Sequence, residues 1–219
     1  MIGCGAAARY ARPVSDHDRA QDYWRSATDT FVADTSYYGS VAAALERMVL
    51  PQLPADATVL DIGCGDGTFT ALLAHDARHV DAFDLSPDLI DAARARGLTN
   101  VQFEVGDAAD VPTGSYDLVS CMGVLVCLVD DREFERVLTG AAACVAPGGL
   151  LLLRETIARR RTVHEDGDYV ACYRTRRAYT EPLAARGLTL ELDHRLATWS
   201  RLRSRTNHLW VFRRSSRAT

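Results

Sequence analysis

From Thr58 onward, short runs of apolar and β-branched residues alternate with longer segments whose apolar positions recur every three to four residues. TVLDI (58–62), HVDAFD (79–84), VQFEVG (101–106), YDLVSC (116–121) and LLLLRE (150–155) are almost continuously apolar and bounded by turn residues, which predicts strands buried on both faces of a parallel sheet. The intervening segments DGTFTALLAHD, SPDLIDAARARG and DDREFERVLTGAAACVAPGG read as helices. In the second, Ser86 can cap the helix, Pro87 suits its first turn and Gly97 its end. In the third, Phe134, Val137, Leu138 and Ala141 share one face, and Pro147-Gly148-Gly149 ends it before the next strand.

Strand and helix in alternation imply right-handed crossovers and a doubly wound sheet, with ligands at the carboxyl ends of the strands. After Glu155 the rhythm changes to a long polar loop, a helix over residues 175–186 or, with Pro182 in its first turn, from nearer Thr180, and two β-like runs, 188–199 and 206–214. Their proximity in sequence predicts an antiparallel pair completing the sheet. Ahead of the sheet, residues 20–50 read as two helices joined near Tyr37-Tyr38-Gly39, and residues 1–19 as a mobile polar lead-in to one domain over 20–219.

Composition narrows the classes. The 219 residues suffice for one self-supporting core. Six cysteines are scattered with no CxxC pair and no histidine at metal spacing, so a reduced, cytoplasmic setting and no metal site are expected. No apolar stretch reaches the length of a signal peptide or membrane span. Every basic residue is Arg, and the charge is divided: residues 1–153 sum to −12 and residues 154–219 to +8. The basic part reads either as a solvated face or as a recruiter of an anionic acceptor. Without aromatic-basic interleaving on a known module it does not predict nucleic-acid binding.

VLDIGCGDGTFTALLA (59–74) places Gly63, Gly65 and Gly67 between a strand and a helix. The spacing is GxGxG, which differs from the dinucleotide GxGxxG, and with no Lys anywhere there is no GxxxxGK[ST] phosphate loop. VLDIGCGDGT resembles the first motif of class I S-adenosylmethionine-dependent methyltransferases, whose glycine loop passes beneath the amino-acid part and ribose of the cofactor. The resemblance continues in order through Asp84 at the end of the second strand, VGDAADVP, YDLVSCMGVL and VAPGGLLLLRE, strongly over residues 55–155 and loosely beyond.

That resemblance implies a Rossmann-like doubly wound seven-stranded sheet, mostly parallel with an antiparallel C-terminal strand, under a helical N-terminal lid (20–50). It implies S-adenosyl-L-methionine as cofactor. Asp84 would take the two ribose hydroxyls with Leu85 beside it, Asp107 the adenine amine, and Ala108 the adenine face. Asp61 would organise the glycine loop and face the cofactor's ammonium, with Cys121 and Tyr38 also contributing.

Met122-Gly123 following Ser120-Cys121 departs from the [ND]PP[YF] of base-directed amino-methyltransferases, and it lacks the carboxylates of metal-dependent catechol-type enzymes. Both subclasses lose ground, and with no carrier domain, nucleic-acid module or membrane anchor read in the sequence, the expected acceptor is a small molecule methylated at oxygen or nitrogen in a tailoring step, by a monomer or homodimer. Substrate-facing candidates are Tyr23, Trp24 and Tyr37 in the lid, Arg154 and Glu155 at the end of the fifth strand, and Tyr169 and Arg174 beyond it. His164 and Tyr173 are the candidate catalytic residues. Two alternatives stay open: an α-N-terminal protein methyltransferase with Glu165, Asp166 and Asp168 facing a cationic peptide, and a non-catalytic cofactor-binding protein of the same fold.

Overall fold

The computed structural model describes residues 14–30, 35–196 and 205–216. In chain order the elements are α1 (Asp16–Arg25), α2 (Thr35–Met48), β1 (Thr58–Ile62), α3 (Thr68–Ala74), β2 (His79–Asp84), α4 (Pro87–Arg94), β3 (Val101–Val105), β4 (Tyr116–Met122), α5 (Asp131–Ala143), β5 (Val145–Ala158), β6 (Thr162–Asp166), β7 (Tyr169–Tyr173), α6 (Arg176–Ala184), β8 (Leu188–Arg195) and β9 (Arg205–Arg214). Seven strands form one sheet in the order β3-β2-β1-β4-β5-β9-β8. The contacts among β1 to β5 are parallel, and β9 runs antiparallel to both its neighbours. Because β1 lies between β2 and β4, the direction of winding reverses beside it, and a crevice opens at the carboxyl ends of these strands.

Alternation along the strands sends side chains to two cores. Leu60, Ile62, Val119, Cys121, Leu151, Leu153, Trp210 and Phe212 face α5 and α6, joining Phe134, Val137, Leu138, Ala141, Tyr179 and Leu183. Val59, Leu118, Leu150, Leu152, Leu209 and Val211 face the other way, against Val41 and Leu45 of α2, Leu73 of α3 and Ile90 of α4. Ser86 caps α4, its hydroxyl accepting from the Leu89 N–H, and Pro87 opens the helix. No helix among the described residues is long and apolar enough to cross a membrane.

Four expectations need correction. α1 and α2 are separated by residues 26–34, and Tyr37-Tyr38-Gly39 lies inside α2, because burial of Val41, Ala44 and Leu45 carries the helix through the glycine. α2 packs in the core and reaches the crevice through Tyr38, and α1 lies over the crevice. Asp16–Arg19 already belong to α1, started by a reciprocal Ser15–Asp18 capping box, whereas residues 1–13 of the expected lead-in lie outside the described residues. The segment read as a polar loop after Glu155 continues β5 to Ala158 and then forms the β6–β7 hairpin.

Candidate active site

The crevice is a cavity of about 850 Å³. Its floor is the loop after β1. The Gly63 and Cys64 N–H groups both donate to the Phe83 carbonyl, at 2.8 and 3.1 Å, and the Gly65 N–H donates to Asp84 Oδ2 at 2.9 Å. Gly63 and Gly65 have φ of +70° and +56°. A Cβ on Gly63 would sit 2.1 Å from Val124 Cγ2, and one on Gly65 2.7 Å from Thr30 Cγ2. The close approach that excludes side chains here is thus made first by the protein's own wall, with Val124 after β4 on one side and Thr30 after α1 on the other. Gly67 is the N-cap of α3 and lies off the cavity wall.

Asp84 ends β2 on the cavity wall beside Leu85. Its Oδ1 accepts from the Ser86 N–H at 3.0 Å, and burial raises its carboxyl above the usual value. Asp107 caps the short turn at residues 108–110, Oδ1 accepting from the Ala109 N–H at 2.8 Å, with Ala108 beside it on the wall. Its other oxygen accepts from Gln21 Nε2 of α1 at 3.3 Å. The same Gln21 amide donates to Glu133 Oε1 at 3.2 Å, and His17 Nδ1 lies 2.9 Å from Glu133 Oε2. α1 is therefore fastened over this end of the cavity through α5. Tyr38 lines the cavity and stacks on Phe69, centroids 5.0 Å apart.

Besides Gly67, two residues expected to touch a cofactor lie off the cavity wall. Asp61 is 2% exposed beneath the loop, its Oδ2 accepting from the Thr70 hydroxyl at 2.7 Å, and burial pushes its carboxyl up to about 6. It braces the loop without reaching the wall. Cys121 is fully buried toward α5, so the end of β4 contributes Met122 and Gly123 to the cavity instead.

At the far end, Arg154 lines the cavity and its Nη2 donates to the Met122 carbonyl at 3.3 Å. The next side chain points to the opposite face. Glu155 is 2% exposed, its Oε1 accepts from the Leu125 N–H at 3.2 Å, and burial pushes its carboxyl up to about 8. Arg174 does not line the cavity either. It is 3% exposed, ion-paired to Asp131 at 2.7 Å and 4.0 Å from the centre of the Phe134 ring, so it joins α5 to the end of β7. The β6–β7 hairpin brings His164, Tyr169 and Tyr173 onto one wall, with ring centroids 6.4 Å (His164–Tyr169) and 6.0 Å (His164–Tyr173) apart. Burial raises the Tyr169 hydroxyl well above its ordinary range. Tyr23 and Trp24 of α1 meet Tyr169 edge to face. The side chain of Tyr37 lies outside the described residues.

The sequence reading missed Gln21 and Glu133 at one end and Thr156, Arg205 and Asn207 at the other. A signal for the last three existed. On the face shared by β5 and β9, apolar Leu150, Leu152, Leu209 and Val211 give way to polar Arg154, Thr156, Asn207 and Arg205 where the strands reach the cavity.

Residues 59–149 match the family model described as a methyltransferase domain. A curated relative, the ubiquinone biosynthesis O-methyltransferase of Xanthomonas oryzae pv. oryzae, is 38% identical over 105 residues, covering 45% of this chain and 43% of its own length. The chain thus matches less than half the length of that relative. Among solved structures, the DhpI–SAH complex is similar with a TM-score of 0.70 and 25% identity, over 91% of this chain and 97% of that one. The N-methyltransferase NodS of Bradyrhizobium japonicum, in complex with S-adenosyl-L-homocysteine, shares the fold with a TM-score of 0.70 and 20% identity, over 91% and 99%.

Proposed function

We propose, from the premise that residues 59–149 belong to the methyltransferase-domain family and fold as class I S-adenosylmethionine-dependent methyltransferases do, that this protein methylates an oxygen or nitrogen of a small molecule with S-adenosylmethionine as donor. The observation that carries this reading is Asp84. Its carboxylate stands at the end of β2, tied to the glycine loop through the Gly65 N–H, on the wall of a cavity that also holds Asp107 and Ala108. The residues fit the cofactor. Asp84 would accept the ribose hydroxyls in charge-assisted bonds, Asp107 would accept the adenine amine, and the glycine loop would pass under the amino-acid part. The cavity is near the upper end of the range for small-molecule pockets, which leaves room for an acceptor beside the cofactor.

When bound, the cofactor supplies an electrophilic methyl group on a sulfonium. The chain's own contribution is orientation and exclusion of water. α1, fastened by Gln21 and Glu133, roofs the cavity, and the β6–β7 hairpin and the β9 terminus wall its far end. We assign His164, which lies between Tyr169 and Tyr173 on the hairpin wall, the task of taking the acceptor's proton, and Tyr173 that of orienting the acceptor by a hydrogen bond. Arg154 and Arg205 favour an anionic acceptor. The peptide-amine alternative is weakened because Glu165, one of its three acidic contacts, is paired with Arg19 of α1.

The test is transfer itself. Protein incubated with S-adenosylmethionine bearing a labelled methyl group and a fractionated small-metabolite extract should yield a labelled product whose mass exceeds that of its precursor by one labelled methyl in exchange for one hydrogen. Label appearing in protein or peptide alone would replace this reading with the peptide one.

A further inference from the structure

We propose that the acceptor is a planar aromatic acid, its carboxylate held by Arg205 and Asn207 with help from Arg154, and its ring received by the aromatic wall of α1 and the β6–β7 hairpin. This rests on the methyltransferase reading of the same cavity and names its substrate class.

The carboxylate site is built by strand register. Thr156 pairs with Asn207 and Ala158 with Arg205 across the β5–β9 ladder, so Arg154, Thr156, Asn207 and Arg205 project from one face. Arg205 and Asn207 are two residues apart on β9, about 7 Å along the strand, a span a carboxylate can bridge. Thr156 Oγ1 donates to Asn207 Oδ1 at 2.6 Å. That bond engages the carboxamide oxygen and leaves the amide N–H₂ as the group Asn207 can offer to a ligand. The Arg205 guanidinium lies 4.6 Å from the centre of the Tyr173 ring and makes no ion pair with any described carboxylate. A guanidinium and an amide N–H₂ on one wall suit an oxyanion, and Arg presents the planar fork that a carboxylate fits.

The ring site is a row of aromatic side chains. Tyr23 lies 5.2 Å from Trp24 and 5.6 Å from Tyr169, Trp24 lies 6.1 Å from Tyr169, and Tyr173 continues the row through His164. Such walls favour a flat π-system in offset or edge-to-face contact over an aliphatic chain. Charge then sets the direction of the ligand. The cofactor end carries Asp84, Asp107 and Glu133, whereas at the far end the carboxylate on the lining, Asp166, is exposed at the hairpin rim. An aromatic acid is thereby turned with its carboxylate toward β9 and its opposite ring position, where a hydroxyl or amine would accept methyl, toward the cofactor.

The test uses the full chain and direct calorimetry. S-adenosylhomocysteine is titrated first, and that result reads the methyltransferase assignment alone. Next, 4-hydroxybenzoate, its methyl ester and cyclohexanecarboxylate are titrated separately, with and without S-adenosylhomocysteine, so the acceptor claim is measured whichever way the first titration falls. The expected result is that 4-hydroxybenzoate binds at least about tenfold more tightly than either of the other two. Arg205→Gln should erase the preference of acid over ester while leaving the affinity for S-adenosylhomocysteine and the melting temperature unchanged. An ester that binds as well as the acid, no detectable acid binding at millimolar concentration, or a full-affinity acid complex with the folded Arg205→Gln variant would overturn the proposal.

Discussion

Replacing Glu155 by Gln should make the protein more stable in proportion to pH. Glu155 is 2% exposed, and while Oε1 accepts from the Leu125 N–H, Oε2 has no hydrogen-bond partner among the described residues. Burial is the largest influence and raises the carboxyl from 4.5 to about 8, against the opposing pull of the Arg154 charge. Below pH 4.5 the carboxyl is protonated in the folded and unfolded chains alike, and no stability is lost there. Between 4.5 and 8 the unfolded chain ionises while the folded chain keeps its proton, at a cost of about 1.4 kcal/mol per pH unit, so the loss is complete as pH passes 8 and amounts to about 5 kcal/mol.

Gln keeps the acceptor for Leu125 and never ionises. Its amide N–H₂ lacks a partner where Oε2 stood, which offsets about 1–2 kcal/mol of the gain. The variant should therefore match wild type or fall slightly below it at pH 5, and exceed it by about 3–4 kcal/mol at pH 9, or roughly 10 °C in melting temperature for a chain of this size. Asp61, raised to about 6, loses stability in a lower window, but it does so in both proteins and cancels in the difference. Urea or thermal unfolding of both proteins at pH 5, 7 and 9 supplies the comparison. A stability difference that does not grow with pH would refute the placement of Glu155 as a buried, protonated acid.

Gly63→Ala should lower the melting temperature by several degrees, because the new Cβ meets Val124 Cγ2 at a φ of +70°. Val124→Ala in the same chain should restore part of the loss, and no rescue would mean that Val124 is not the obstacle. Asp131→Ala removes the ion-pair partner of the buried Arg174 and should cost about 2 kcal/mol in chemical denaturation, less than a fully buried pair because the Asp131 carboxylate is itself largely exposed. A loss under about 0.5 kcal/mol would show that the carbonyls of Leu125 and Val129 and the Phe134 ring suffice for the guanidinium.

The elements from β1 to β5 were legible because each apolar run is punctuated by local turn chemistry: Ser86-Pro87 at the start of α4, glycines after β1 and Gly97 after α4. The end of α5 was less legible. The helix stops at Ala143, and β5 begins at Val145 and runs through Pro147-Gly148-Gly149. The β6–β7 hairpin was invisible because β6 is largely exposed and carries no apolar alternation, its turn being marked by Gly167 alone, at φ +60°. The α1–α2 boundary was misplaced because Gly39, with open space around it, is tolerated in a helix that tertiary burial holds together.

The site divides along the same line. One end of the cavity is built from contiguous motifs after β1, β2 and β3, and Asp84, Asp107 and Ala108 stand on its wall. The other end joins side chains that meet across 51 residues of sequence, such as Thr156 and Asn207, so no local spacing announces them. Of the 15 arginines after residue 153, the sequence offered Arg154 and Arg174 for the cavity; Arg154 lines it, whereas Arg174 is buried elsewhere and Arg205 lines the cavity unforeseen. Cys121 is off the wall because a strand residue one position from the lining Met122 points into the core, and Asp61 because it lies beneath the glycine loop, bonded to Thr70.

Calorimetric titration of the wild-type protein and the Asp84→Ala variant with S-adenosylhomocysteine tests the assignment most directly. Asp84 would lose two charge-assisted bonds to ribose, each worth about 1.5–3 kcal/mol, together with its hold on the Gly65 N–H. One equivalent should bind the wild type, and the variant should bind at least about tenfold more weakly. A wild-type protein that shows no binding, or a variant that binds as tightly as wild type, would contradict it.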